Sequence, residues 1–287
     1  MPTAAANGIE IHYEVLGEDR PGTPLVLTHG FSSASAFWRP DIEPLAETRP
    51  LVIYDVRGHG KTTAPDDPES YSLPTFAADL ASLLREIGIE RAHVGGLSMG
   101  GMITAQFAVD YPDVCESVLL CDTTCGNAAD LGPGGEWERR LLEGISALQQ
   151  FVSANGLRDT LIREWEFKEA NDPHFDVTPY SIEDDFRRIE MITVAGYVGA
   201  ANAIAARPDL TERVTSITAP TLVMAGEWDD FLPCAERDHG LIADSRLVVR
   251  EECAHGSRWR NETFRAEIEA FLADVEAGRP VAGERRV

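Results

Sequence analysis

Residues 96–100 of this chain are Gly-Leu-Ser-Met-Gly, a stretch that fits the pattern Gly-x-Ser-x-Gly of a nucleophile elbow. Residues 91–95 before it predict a short buried strand, and residues 101–108 after it predict a helix. A serine at such a sharp turn is held in strained backbone geometry with its hydroxyl exposed above the sheet, and the flanking glycines leave room for the turn. We therefore predict that Ser98 is a nucleophile. A Gly-rich turn without a catalytic role is the alternative that fits the same short pattern.

Three further segments accompany the elbow in a characteristic order. Each is an apolar strand that ends shortly before a polar residue: His29 after residues 25–28, Asp229 after residues 220–226, and His255 after residues 247–249. The chain order Ser, Asp, His differs from the order in the other folds that carry a serine triad. On these motifs the chain resembles the α/β-hydrolase superfamily over about residues 8–275. This resemblance implies a fold, but it does not imply a substrate.

Strand and helix patterns alternate along most of the chain, which predicts an α/β fold with a mostly parallel sheet and helices on both faces. Residues 9–15 alternate as an edge strand, and we expect this strand to pair with residues 25–28 across a turn. Residues 261–275 have the pattern of a closing helix. Residues 277–287 after it are predicted to be a frayed tail.

Helical periodicity replaces the strand pattern in residues 125–207, after the predicted sixth strand. Members of the superfamily that this chain resembles carry a cap over the active site at this point. We therefore predict a helical cap at residues 125–207 and an α/β-hydrolase core formed by residues 1–124 and 208–287. A helical decoration that only stabilises the core is the alternative.

The motifs predict a division of chemical roles. Ser98 would attack an acyl carbon, and His255 would act as its base because a free serine hydroxyl is too weakly acidic at neutral pH. Asp229 would hold His255 in the correct tautomer. The backbone amides of Phe31 and Met99 would form the oxyanion hole.

Several of these assignments have a rival. Asp122, just after the predicted sixth strand, is the position from which some superfamily members supply the triad acid. His29 and Trp38 are candidates to bind substrate. However, His29 also fits a role in shaping the oxyanion loop by hydrogen bonding, and Trp38 also fits an ordinary core position.

Residues 196–223 and the spacing of Trp137 and Arg140 are similar to the corresponding parts of 3-oxoadipate enol-lactonases. A serine at the elbow argues against haloalkane dehalogenases and epoxide hydrolases, which use a carboxylate there. The similarity implies a small anionic lactone as substrate, with Trp137 and Arg140 in the binding pocket and Arg140 as the cation. The predicted cap departs from that family in two ways, because residues 164–166 are Glu-Trp-Glu and an obvious second basic pocket residue is lacking. These departures leave a larger neutral ester or lactone equally open.

Composition narrows the class of protein. The chain has 287 residues, with 25 basic against 48 acidic side chains and a net charge of -23, which disfavours binding to nucleic acid or to an anionic membrane. It has no apolar run long enough to span a bilayer and no signal-peptide pattern. Its five cysteines follow no metal-ligand spacing. We expect a cytoplasmic protein without metal or cofactor, with homo-oligomerisation left open.

Together these features predict a cofactor-free serine hydrolase that cleaves a small-molecule ester or lactone through an acyl-enzyme. The same triad also serves lyases, carbon–carbon bond hydrolases and perhydrolases, which are the alternatives among enzymes. A relative that binds a ligand without turnover is the alternative outside enzymes.

Overall fold

The structure is a computed structural model, and it describes residues 2–128, 132–175, 181–256 and 261–287. These residues form the following strands: β1 Thr3–Ala6, β2 Ile9–Leu16, β3 Leu25–Thr28, β4 Leu51–Tyr54, β5 Ala92–Leu97, β6 Cys115–Cys121, β7 Thr221–Gly226, β8 Ser245–Arg250 and β9 Gly283–Arg286. They also form the following α-helices: α1 Ser35–Ile42, α2 Leu73–Glu86, α3 Met99–Asp110, α4 Gly132–Asn171, α5 Ile182–Ile189, α6 Val194–Ala205, α7 Leu232–Leu241 and α8 Asn261–Glu276.

The strands form a single sheet in the order β1-β2-β4-β3-β5-β6-β7-β8-β9. All neighbours from β4 through β9 pair in parallel, while β2 pairs antiparallel with both β1 and β4. Parallel sheets are buried on both faces, which explains why the central strands are apolar almost throughout. The predicted α/β fold with a mostly parallel sheet is confirmed.

Each face of the sheet has its own hydrophobic core. Val26 and Val94 belong to the core that includes the buried faces of α2, α3 and α7, whereas Leu25 and Leu27 belong to the core that includes those of α1 and α8. This division follows from the alternation of side chains along a strand. Ser72 begins α2 as an N-cap, because its hydroxyl accepts a hydrogen bond from the Thr75 amide at 3.1 Å.

Helices α4–α6 follow β6 and precede β7 along the chain. Helix α4 is interrupted at Gly156, which has a φ of 82°. The start of α6 packs tightly against the loop after β4, since a Cβ on Gly196 would overlap the Gly58 carbonyl oxygen. The Gly60 amide also donates to the Met191 carbonyl at 2.7 Å. The division into a core and a cap stays a prediction. Over the described ranges, every helix is too short or too polar to cross a membrane.

The predicted pairing of the first alternating strand is wrong. β2 is not an edge strand, because β1 covers its outer side, and its inner neighbour is β4 rather than β3. β3 lies between β4 and β5. Residues 3–6 are Thr-Ala-Ala-Ala, which has little β-propensity, so β1 depends on its pairing with β2 and on burial of Ala4 and Ala6.

The predicted frayed tail is also wrong, because residues 283–286 form β9, which pairs in parallel with β8. All four residues of β9 are exposed, and Gly283 is followed by three charged side chains, so the sequence offers no apolar alternation there. Val281, just before β9, is fully buried in the same core cluster as α8 residues Phe271 and Leu272. The buried side chain of Val281 and the pairing of β9 with β8 therefore help to anchor residues 281–286.

We expect Val281→Ala to lower the free energy of unfolding by about 2 kcal/mol, because it removes buried methyl groups from a packed core. Urea titration monitored by far-UV circular dichroism measures the change. Val194→Ala is the matched control, since Val194 is 39% exposed and its truncation changes stability by less than about 0.5 kcal/mol. Equal stability of the two variants would contradict the conclusion that burial of Val281 anchors this part of the chain.

Candidate active site

Ser98 lies at the turn between β5 and α3 with a φ of 57° and a ψ of -119°. An L-residue pays of order 1–3 kcal/mol to adopt such a conformation, so it persists only where the surroundings fix it. Here a Cβ on Gly96 would overlap the Gly100 carbonyl, and a Cβ on Gly100 would overlap the Thr28 carbonyl oxygen. The Ser98 amide also donates to the Cys121 carbonyl of β6 at 2.9 Å. The two glycines are thus required by close approach to neighbouring backbone.

Three more polar side chains follow the next strands of the sheet: Asp122 after β6, Asp229 after β7 and His255 after β8. Because the strands are parallel, their carboxyl ends share one edge of the sheet with the end of β5. Backbone hydrogen bonds join these loops, including one from the Trp228 amide to the Cys253 carbonyl at 2.8 Å. The fold therefore gathers the sequence-predicted residues at one edge.

Asp229 and His255 are in direct contact. The Nδ1 atom of His255 lies 3.0 Å from Oδ2 and 3.1 Å from Oδ1 of Asp229. The Phe231 amide donates to Oδ1 of Asp229 at 2.9 Å and fixes the carboxylate further. Asp229 is buried, whereas the imidazole of His255 is 41% exposed. A carboxylate at Nδ1 holds the proton on that nitrogen and leaves Nε2 unprotonated.

The surroundings also set the charge of this pair. Partial loss of hydration lowers the pKa of His255, but the carboxylates of Asp229 and Asp122 outweigh this effect and the repulsion from Lys168, so the pKa rises above its usual 6.5. Burial raises the pKa of Asp229, but the charge of His255 and hydrogen bonds with His255, the Phe231 amide and Asp122 bring the pKa below its usual value. Asp229 is therefore ionised at neutral pH.

The segment around Gly30 adjoins the elbow, since a Cβ on Gly30 would lie 3.5 Å from the Ser98 Cβ. Phe31 follows Gly30 directly, and Met99 is the first residue of α3. Their amides therefore belong to the two segments that adjoin Ser98. Their predicted role in an oxyanion hole stays a prediction.

His29 is buried, and both ring nitrogens bind backbone groups. Nδ1 donates to the Gly30 carbonyl at 2.8 Å, and Nε2 accepts from the Val56 amide at 3.0 Å. Burial lowers the pKa of His29, so the ring is neutral and can hold this pattern. These contacts favour the loop-shaping role over the prediction that His29 binds substrate.

Trp38, Trp137 and Arg140 are the other residues predicted to bind substrate. Trp38 is buried in the core cluster that contains Ile42 and Leu45, which favours its alternative role as a core residue. The side chains of Trp137 and Arg140 lie outside the described residues. Their predicted roles stay predictions.

Sequence reasoning missed a set of contacts that α4–α6 make near the elbow. Arg188 of α5 donates through Nη1 to the Ser32 carbonyl at 2.6 Å and also bonds the Ser32 hydroxyl. Tyr197 of α6 packs on Phe31 with ring centroids 4.7 Å apart and donates to Oε1 of Glu164 at 2.6 Å. No motif marks these residues, because they come from helices whose pattern shows only amphipathicity.

A stacked aromatic pair lies beside the acid. The ring of His174 lies 3.9 Å from that of Trp228, with an interplanar angle of 4°. Trp228 immediately precedes Asp229, and His174 follows α4 along the chain. The end of α4 is therefore held close to the loop that carries the carboxylate.

Comparison with known proteins agrees with this architecture. The family described as having the alpha/beta hydrolase fold matches residues 23–261, so the chain belongs to the α/β-hydrolase family. It is 26% identical to 3-oxoadipate enol-lactonase 2 of Acinetobacter baylyi, over 94% of this chain and 96% of that protein. It is 29% identical to a proline iminopeptidase of Lactobacillus acidophilus, over 87% and 89% of the two chains. The structure of a thermophilic esterase from Thermogutta terrifontis superposes with a TM-score of 0.76, 27% identity and coverage of 96% and 98%.

We expect kcat/KM for an aryl ester to fall in acid with a midpoint above 6.5, because His255 must be unprotonated to accept a proton. Asp229→Asn removes the charge that stabilises the imidazolium. The midpoint of the residual activity should then move to lower pH, and kcat should fall by roughly 10⁴-fold. Steady-state rates across pH measure both effects, and an unmoved midpoint would contradict the assignment.

Proposed function

We propose that this protein is a serine hydrolase that cleaves a carboxylic ester or a lactone through an acyl-enzyme intermediate. The observation that carries the proposal is the contact between Asp229 and His255 at the same sheet edge as a serine with a φ of 57°. A strained serine and a carboxylate-oriented histidine are the parts that nucleophilic acyl transfer needs. The membership of the chain in the α/β-hydrolase family supports this proposal.

In the proposed first step, Oγ of Ser98 attacks the acyl carbon while Nε2 of His255 takes the hydroxyl proton. Negative charge develops on the former carbonyl oxygen, where the amides of Phe31 and Met99 would each contribute roughly 3 kcal/mol of stabilisation. The bond to the leaving oxygen then breaks as His255 returns the proton to it. For a lactone the leaving hydroxyl stays attached, since the ring simply opens.

In the second step, water attacks the acyl-enzyme. His255 removes a proton from the water, and the ester bond to Ser98 breaks as His255 protonates Oγ. Asp229 remains ionised in both steps and stabilises the imidazolium that forms each time. All bonds in these steps form or break between Ser98, the substrate and water, and His255 carries the protons. The proposed chemistry therefore requires neither metal nor cofactor.

The proposed substrate is a small ester or lactone lying beneath the helical segment α4–α6, which would act as the cap. The similarity to an enol-lactonase over 94% of the chain and to an esterase structure supports this class. Lys168 on the same segment, whose positive charge acts on His255, would favour a substrate with a carboxylate, as the enol-lactonase resemblance predicts for Arg140. The similarity to a proline iminopeptidase makes amide hydrolysis the alternative within the same chemistry.

We expect an organophosphonate to label Ser98 alone, and Ser98→Ala to abolish both labelling and turnover while leaving the fold intact. The loss of rate should be about 10⁴-fold or more, because the variant has no nucleophile. Mass spectrometry of the intact protein followed by peptide mapping locates the label. Ser153→Ala is the matched control, since Ser153 is an exposed serine on α4.

A substrate panel completes this test. An aryl acetate, a simple lactone and a proline aryl amide are compared on the wild-type protein, and we expect turnover of the first two. Turnover of the amide alone would replace the ester and lactone assignment with a peptidase. Label on another serine or on a cysteine would contradict the assignment of Ser98.

A further inference from the structure

A buried ion pair lies directly beneath the candidate catalytic loops. Nη2 of Arg250, the last residue of β8, donates to Oδ2 of Asp122 at 2.8 Å, and the two side chains are 0% and 1% exposed. Asp122 adopts a φ of 46°, which is uncommon for a residue with a side chain. Charges taken out of water are costly unless they are paired and hydrogen-bonded. The chain thus maintains a charged pair and an unusual backbone conformation at one point next to the active site.

Asp122 also binds the backbone of two loops that carry the candidate catalytic groups. Its Oδ1 accepts a hydrogen bond from the Gly226 amide at 3.1 Å, and its Oδ2 accepts one from the Gly256 amide at 3.0 Å. Gly256 directly follows His255, and Gly226 is three residues before Asp229. Arg250 reaches the same loop, because its Nη2 also donates to the Gly256 carbonyl at 3.3 Å.

The two loops rest on each other as well. A Cβ on Gly226 would overlap the carbonyl oxygen of Cys253, so the end of β7 touches the backbone just before His255. The Asp122 amide in turn donates to the Met224 carbonyl of β7 at 2.8 Å. One carboxylate therefore connects the ends of β6 and β7 with the loop after β8.

The charges that face His255 come from three elements. Asp229 follows β7 and bonds the ring directly, Asp122 follows β6 and raises the pKa of the ring further, and the positive charge of Lys168 on α4 lowers it. The Phe231 ring packs beside the imidazole with a centroid separation of 5.5 Å. A change of charge at Asp122 is thus felt at His255, in addition to any movement of the loop.

We propose that Asp122 is a positioning residue of this hydrolase, whose carboxylate, paired with Arg250, holds the Gly226 and Gly256 backbone so that Asp229 and His255 meet. This role rests on the proposed function. It also explains why Asp122 is not the triad acid, although it occupies a position that can supply one. Its two oxygens accept hydrogen bonds from Arg250 and from two backbone amides, while Asp229 bonds the imidazole.

The test is Asp122→Asn, which keeps the volume of the side chain. It replaces one carboxylate oxygen, an acceptor, with an amide NH2 group, a donor that would face the N–H donors of Arg250 or of the two glycine amides. We expect kcat to fall by about tenfold with KM within about twofold of the wild type, because the loop moves and substrate contacts remain. We also expect the titration midpoint of His255 to fall by about half a pH unit or more, since a nearby negative charge is lost. Nuclear magnetic resonance of the resting protein measures this midpoint without any substrate.

Asp79→Asn is the matched control. Asp79 is a buried carboxylate that accepts hydrogen bonds from Nε and Nη2 of Arg57 at 2.8 and 2.6 Å, in contact with neither catalytic loop. We expect this variant to lose stability and to keep the wild-type kcat and His255 midpoint. Arg250→Lys is the second variant, for the case that Asp122→Asn does not fold. It retains the charge but cannot make all the contacts of a guanidinium, so kcat should fall severalfold while the His255 midpoint stays near the wild type.

Three results would overturn the proposal. If Asp122→Asn loses only stability, as Asp79→Asn does, or if Arg250→Lys retains full kcat, the pair has a purely structural role. If Asp122→Asn is as inactive as Ser98→Ala while Asp229→Asn remains active, Asp122 is the triad acid. Failure of the proposed function is distinguishable, because the wild type would then turn over no ester or lactone while the His255 titration still reports on Asp122.

Discussion

The close approach of backbone at Gly96 and Gly100 is the constraint on which the candidate site depends. Side chains at these positions would overlap the α3 backbone and the Thr28 carbonyl of β3, so only glycine lets the chain turn this sharply. The turn forces Ser98 into a φ of 57°. Parallel strands β5 to β8 then bring the loops after them to the same edge. The order and parallel pairing of these strands therefore set the position of the serine relative to the acid and the base.

The second requirement is electrostatic. Asp229 is buried and ionised because His255 and the Phe231 amide offset the cost of burial, and His255 in turn gains basicity from the carboxylate. Asp122 and Arg250 add a further pair whose hydrogen bonds reach the loops on either side. The arrangement contains two buried carboxylates close to one imidazole. Their different partners separate their roles, since one bonds the imidazole and the other bonds backbone.

The sequence predicted the parts of the fold that carry strong local signals. The elbow at Ser98, the strands before His29 and Asp229, and the mostly parallel sheet follow from apolar runs and glycine patterns. Two strands escaped prediction because their residues are small or polar: Thr3–Ala6 and Gly283–Arg286 form only through pairing with a neighbour. Arg188 and Arg250 were missed for a related reason. Arg188 reaches Ser32 and Arg250 reaches Asp122, and local patterns do not encode contacts between residues so distant in sequence.

A crystal structure of the protein after reaction with an organophosphonate tests the central claim most directly, because the phosphoryl group on Oγ of Ser98 imitates the tetrahedral intermediate. The account predicts a phosphoryl oxygen within hydrogen-bond distance of the Phe31 and Met99 amides, with Nε2 of His255 facing the ester oxygens and Asp229 still bonded to Nδ1. A phosphoryl oxygen bound by other donors, or an imidazole turned away from Ser98 or bonded to Asp122, would contradict it.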